Sequence, residues 1–146
     1  MGLFTSIDIS ASGLSAEHLR MDVISNNIAN VNTTRTADGG PYRRQFAVFQ
    51  ARNPYASWPA LEKHAPETIG NGVRVAGIMN DHAPFKLNYD PGNPDADKDG
   101  YVRMPNINIV TEMVDMITAT RAYEANVTCI NASKDINNVA LTIGKR

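Results

Sequence analysis

An apolar stripe at helical spacing, ending in a run of amides, restricts the fold of this chain more than anything else in it. Steps of four and three from Leu3 pass through Ile7, Ser10, Leu14, Glu17, Met21, Ile24, Ile28 and Val31, and seven of the nine positions are apolar. A repeat of that period is the seam of a helix that packs in coiled-coil fashion. The stripe runs out in a polar cluster from Ser25 to Thr33. Asn and Ser compete with the helical backbone for hydrogen bonds, so they favour helix ends and turns. The cluster therefore predicts a specified hinge, with Ser25, Asn27, Ala29, Asn30 and Thr33 as its candidate residues.

A second stripe closes the chain. The same stepping from Ile109 meets Met113, Met116, Tyr123, Val127 and Ile130, while Val110, Val114 and Ile117 form a neighbouring stripe. A helix in a two-helix hairpin needs one buried face. Two apolar faces imply further neighbours, from this chain or from others. Leu14, Met21, Ile28, Met113, Met116, Tyr123 and Val127 are the candidate interface positions. Gly13 costs a helix interior about 1 kcal/mol relative to Ala. Its patch of small residues fits either the close approach of another backbone or a frayed first turn.

The middle of the chain has a different character. Pro54, Pro59, Pro66, Pro84, Pro91, Pro94 and Pro105 punctuate it, and Phe46–Phe49, Gly72–Ile78 and Phe85–Tyr89 have the composition of strands between turns. The expected fold is α+β: long N- and C-terminal helices paired as a coiled-coil stalk, with a small β-rich insert of three or four short strands. The expected divisions are 1–33 for the first helix, 34–106 for the insert with its linkers, and 107–146 for the closing helix.

Composition removes several classes of function. Lys and Arg number 14 against 15 Asp and Glu, a balance that disfavours binding to nucleic acid through phosphate neutralisation. No run approaches the roughly 18 apolar residues of a membrane span, and no basic-then-apolar leader opens the chain. Zinc-protease, nucleophile-elbow, P-loop and C-x-x-C patterns are missing, and His18, His64 and His82 lack metal-ligand spacing. An enzyme is not expected, nor is a cofactor. The lone Cys129, between Val127 and Ile130, is expected in the core or at an interface. Tyr42, Arg43 and Arg44 form a small basic spot suited to a solvated or intersubunit salt bridge.

One metal constellation competes with the structural reading. Asp95, Asp97 and Asp99, followed by Gly100 and the apolar Val102, reproduce the first half of an EF-hand-like calcium loop. The twelfth position is Asn106, which cannot supply a bidentate carboxylate. A calcium-binding module is thus the alternative function, and a tight acidic turn closed by Gly100 is the simpler account.

The stretch from Ser25 to Thr33 at the end of an amphipathic helix resembles the signature of bacterial flagellar basal-body rod and hook proteins. The stretch from Glu112 to Asn126 resembles the closing helix of the same family. Asp38 to Arg44, and Tyr89 to Asp97 continuing through Met104 to Asn106, resemble its proximal rod members. The resemblance implies a structural subunit of the proximal rod, assembling through terminal helices that form an inner coiled-coil layer and transmitting torque across the periplasm. It also implies export by the flagellar type III apparatus without a cleaved signal, and no catalysis or cofactor. The implied partners are copies of the chain, other rod proteins and the component joining rod to membrane ring.

Overall fold

A computed structural model describes residues 4–37, 39–52 and 70–143. Leu3, Asp38, Pro54, Pro59, His64 and Pro66, all used above, lie outside the described residues. The elements run α1 (Thr5–Ala29), β1 (Gln45–Ala51), β2 (Val73–Asn80), β3 (Lys86–Tyr89), β4 (Tyr101–Met104) and α2 (Ile109–Ile143). Two long helices enclosing small antiparallel sheets in the sequence make the chain α+β. No helix among the described residues is long and apolar enough to cross a membrane.

The ends of both helices follow from local chemistry. Asp8 lies in the first turn of α1, where a carboxylate complements the helix dipole. At the other end the Asn26 carbonyl accepts both the Asn30 N–H at 3.1 Å and the Asn30 side-chain amide at 2.9 Å. The Val31 and Thr33 N–H groups bond to the Ile28 and Asn30 carbonyls, tightening the exit to three-residue spacing. The polar cluster thus closes α1 with no residue in the left-handed region, since no non-glycine φ is positive among the described residues. Asn108 starts α2 as its N-cap, its side-chain oxygen accepting the Val110 N–H at 3.1 Å.

β1 and β2 pair in one two-stranded sheet and β3 and β4 in another. In the second sheet Lys86 faces Met104 and Tyr89 faces Tyr101 in antiparallel register. The two tyrosine rings meet edge to face, with centroids 5.3 Å apart. β4 begins at Tyr101, inside the stretch from Asp95 to Val102 that resembled the first half of a calcium loop, so the loop reading concealed a strand.

The chain divides into two compact units. The first gathers Met1–His18, Val48–Gly77 and Thr120–Arg146; the second gathers Leu19–Ala47 and Ile78–Ala119. In the first unit α1 and α2 run antiparallel. The Ser6 and Ser133 hydroxyls are 3.3 Å apart, and seven residues further along α1 Gly13 faces the carboxamide of Asn126, itself seven residues before Ser133. Gly13 sits inside α1, so its turn is not frayed. What approaches it is a side chain and not another backbone. The start of β2 is tied down in the same unit: the Val73 N–H donates to Ser12 Oγ at 3.1 Å. Gly72 has φ of 92°, and a Cβ there would lie 2.3 Å from Ser12 Oγ. Glycine is required on both counts.

In the second unit the helices are also antiparallel, with Arg20 3.8 Å from Asp115 and the Asn27 amide 3.0 Å from Glu112. Val23, Ile24, Val102, Ile107 and Ala119 are buried there together with two polar residues, Asn27 and Glu112. The apolar core is small, and polar groups fill its centre.

Candidate functional site

The second unit contains a closed polar joint. Asn27 is fully buried. Its amide donates to the Gln45 carbonyl at 2.8 Å and to Glu112 Oε2 at 3.0 Å. Its oxygen accepts the Gln45 N–H at 2.9 Å and the Tyr42 hydroxyl at 3.2 Å. Two donors and two acceptor sites are all that a carboxamide has, so Asn27 is saturated. One side chain thereby connects the end of α1, the first residue of β1 and the first turn of α2.

Glu112 is equally buried, and its charge is matched. Its Oε1 accepts from Arg44 Nε at 2.5 Å, while the other arm of Arg44 reaches Asp115 at 3.3 Å. Asp115 in turn faces Arg20. A buried carboxylate with one cation and one amide donor avoids the desolvation penalty of a lone charge. The Arg44 backbone N–H donates to Asn106 Oδ1 at 3.0 Å, holding the strand entry against the segment before α2. Burial first, and the negative charge of Glu112 second, raise the pKa of Tyr42 above its ordinary value near 10.

The hinge candidates separate into two roles. Asn30 and Thr33 act locally: Asn30 bonds back to Asn26, and the Thr33 hydroxyl donates to Asn30 Oδ1 at 3.2 Å. Asn27 acts at long range. Ser25 and Ala29 are exposed. Glu112 and Arg44 are the residues that sequence reasoning missed. Arg44 had been assigned to a solvated or intersubunit bridge, and it forms an ion pair within the chain. The signal that could have found Glu112 is an acidic residue in the first turn of an apolar helix, on the face shared with Ala119.

The interface candidates fall on partly covered faces. Leu14, Met21, Ile28, Met116, Tyr123 and Val127 are half-buried, and Met113 is exposed. At 100° per residue Leu14 and Met21 lie about 160° around α1 from the buried Ala16 and Val23. The neighbouring stripe of α2 is open: Val110 is 69 % exposed, Val114 55 % and Ile117 53 %. These three lie roughly opposite Glu112 and Ala119, which are fully buried. Cys129, expected to be covered, is exposed within the chain.

In the acidic loop two of the three carboxylates are engaged by partners elsewhere in the chain. Asp95 accepts from the Thr34 hydroxyl at 2.8 Å, and Asp97 pairs with Arg103 at 3.5 Å. Among the described residues no group of three or more His, Cys, Asp or Glu could hold a metal ion. The Asp97 carbonyl accepts the Gly100 N–H at 2.8 Å, and Gly100 has φ of 79°. Asp95, Asp97 and Asp99 lie in the connection of residues 90–100 between β3 and β4, with Asp97 and Asp99 in the turn that Gly100 closes and Asp95 in the turn before it.

Two long helices, a buried polar joint and an apolar helix face left open suit a structural protein, and likeness to known sequences gives its class, the flagellar rod proteins. The model for flagella basal body rod proteins matches residues 7–35, and that for the C-terminal region of flagellar basal body rod FlgEFG proteins matches residues 98–143. The chain is 57 % identical over 149 residues to the flagellar basal-body rod protein FlgC of Borreliella burgdorferi, covering 98 % of each chain. It is 43 % identical to FlgC of Bacillus subtilis and 39 % identical to FlgC of Salmonella typhimurium, each over 99 % of this chain and 100 % of the relative. The chain belongs to the FlgC family of flagellar basal-body rod proteins.

Proposed function

We propose that this structural rod subunit assembles through its two terminal helices and transmits torque along the proximal rod across the periplasm, without catalysing a reaction. The observation that carries the proposal is the open apolar stripe of Val110, Val114 and Ile117, with Met113 beside it. Four large apolar side chains in consecutive turns of one helix are costly to leave in water, and contiguous patches of this kind mark protein interfaces. Ile136, Val139 and Ile143 are exposed near the other end of α2 and support the same reading. The partners are copies of the chain, neighbouring rod proteins and the component joining rod to membrane ring. Delivery by the flagellar type III export apparatus, without a cleaved signal, suits a subunit of this kind. The three-part division at 33/34 and 106/107 describes its roles: helices that pack between subunits and an insert carried outside them.

Val114→Glu tests this reading. The charge falls on an exposed face, so the isolated protein should keep its melting temperature to within about 2 °C. In cells lacking the native chain, the variant should fail to restore swimming. Full motility with Val114→Glu would overturn the assigned face.

A further inference from the structure

We propose that Asn27, Arg44 and Glu112 act as a register lock, fixing the rotation and axial position of the start of α2 so that Val110, Val114 and Ile117 point away from the chain's own core. The lock takes its purpose from the assembly reading above, whereas its geometry stands independently of it.

The reason lies in an inverted hydrophobic balance. On the first turns of α2 the face turned inward carries Glu112, Asp115 and Ala119 with the half-buried Met116, and the face turned outward carries Val110, Val114 and Ile117. Apolar burial alone would favour a helix rotated by about half a turn, with the three aliphatic side chains inside. The observed rotation therefore needs an opposing preference. Glu112 supplies it, because the carboxylate meets Arg44 Nε and the Asn27 amide in this orientation. Any other rotation leaves Asn27 with an unmet donor and Arg44 without its buried partner.

Axial position is held in the same way. Aliphatic seams tolerate a slip of one turn, about 5 Å, since similar side chains recur at that spacing. The Asn27 carboxamide tolerates none, being bound on both sides of Gln45 as well as to Glu112. A buried ion pair adds little net stability compared with apolar side chains of similar size, and its best-attested service is specificity of register. Glu112 is then a positioning residue: it touches no partner and decides which face partners meet.

The test measures register directly. In the full-length chain carrying Cys129→Ser, spin labels are attached through Ser25→Cys and Thr111→Cys, two exposed sites flanking the joint. The parent should give one narrow distance distribution. Asn27→Leu combined with Glu112→Leu should keep its helix content and show a second population displaced by about 5 Å or more. Glu112→Gln has one acceptor oxygen where the carboxylate offers two, so its NH2 meets either Arg44 or Asn27 as donor against donor, and it should show the displaced population to a smaller extent. Val102→Ala, a truncation of a buried apolar residue outside the trio, should keep the narrow distribution. A single unchanged distance in the double variant overturns the proposal. If the double variant does not fold, the same measurement on Glu112→Gln decides, and a single unchanged distance there overturns the proposal. Broadening in Val102→Ala overturns it too, by showing general loosening. The assembly reading fails separately, if the unmodified chain is missing from isolated basal bodies, and the distance measurement would still judge the lock.

Discussion

Asn27 and Glu112 are 85 residues apart in sequence and 3.0 Å apart in the fold, both fully buried, with the amide of one donating to the carboxylate of the other. This contact joins the two helices where α1 ends and α2 begins. Cutting it from the α1 side should be expensive. Asn27→Ala strands the Gln45 N–H and one oxygen of Glu112 in the interior, and each buried group left unsatisfied costs about 1–3 kcal/mol. The expected loss is about 3 kcal/mol, read as a lower urea midpoint at unchanged slope. A loss below about 1 kcal/mol would show that water reaches the joint.

Arg44 should be at least as sensitive. Arg44→Met leaves the Glu112 charge buried without a cation, a change that costs about 3–5 kcal/mol in comparable pairs. Arg44→Lys should recover only part of the loss, because Arg44 reaches Glu112 and Asp115 with separate arms of one planar group. Since Glu112 is buried, the difference between parent and Arg44→Met should persist in high salt. Urea titrations at low and high ionic strength measure both effects.

Alkaline pH should loosen the same joint through Tyr42. Its hydroxyl donates to Asn27 Oδ1, and its pKa lies above the usual tyrosine value because of burial and then the charge of Glu112. The folded state keeps the proton longer than the unfolded chain does, so the unfolded state is favoured once it begins to ionise. Stability is fully present below about pH 10 and is lost as pH rises through the folded pKa. Tyr42→Phe removes this contribution. Its urea midpoint should fall less between pH 9 and pH 11 than that of the parent.

Gly13 and Asn126 make a separate, opposing case. A Cβ on Gly13 would lie 2.9 Å from the Asn126 amide nitrogen, which is itself held by the Ala122 carbonyl at 3.0 Å. Gly13→Ala gains about 1 kcal/mol of helix propensity and spends it on displacing that carboxamide. The single variant should come out near neutral. In an Asn126→Ala background, where the obstacle is gone, Gly13→Ala should stabilise by about 1 kcal/mol. A double-mutant cycle by thermal unfolding measures the coupling.

The helices, three of the four strands and the polar cluster were legible in the sequence because each is written in local periodicity or turn chemistry. Asn27 was recognised as an amide bound to backbone. Its partner backbone proved to be that of Gln45 on β1, and not the end of its own helix, which Asn30 closes. Glu112 and Arg44 were not legible as a pair. Which carboxylate meets which arginine depends on the register of two helices whose facing residues are far apart in sequence, and apolar spacing leaves that register open. β4 was hidden by the resemblance of Asp95 to Val102 to a calcium loop, because a turn and a metal loop use the same acidic and glycine residues. The open face of α2 was legible as a surplus of apolar residues, though the sequence did not say which of the two faces would turn outward.

Electron cryomicroscopy of isolated basal bodies containing this chain tests the assembly claim most directly. The account predicts that Val110, Val114 and Ile117 are covered by a helix of a neighbouring subunit, while Asn27, Arg44 and Glu112 remain paired within their own chain. An α2 face at these three residues open to solvent in the assembled rod would contradict it.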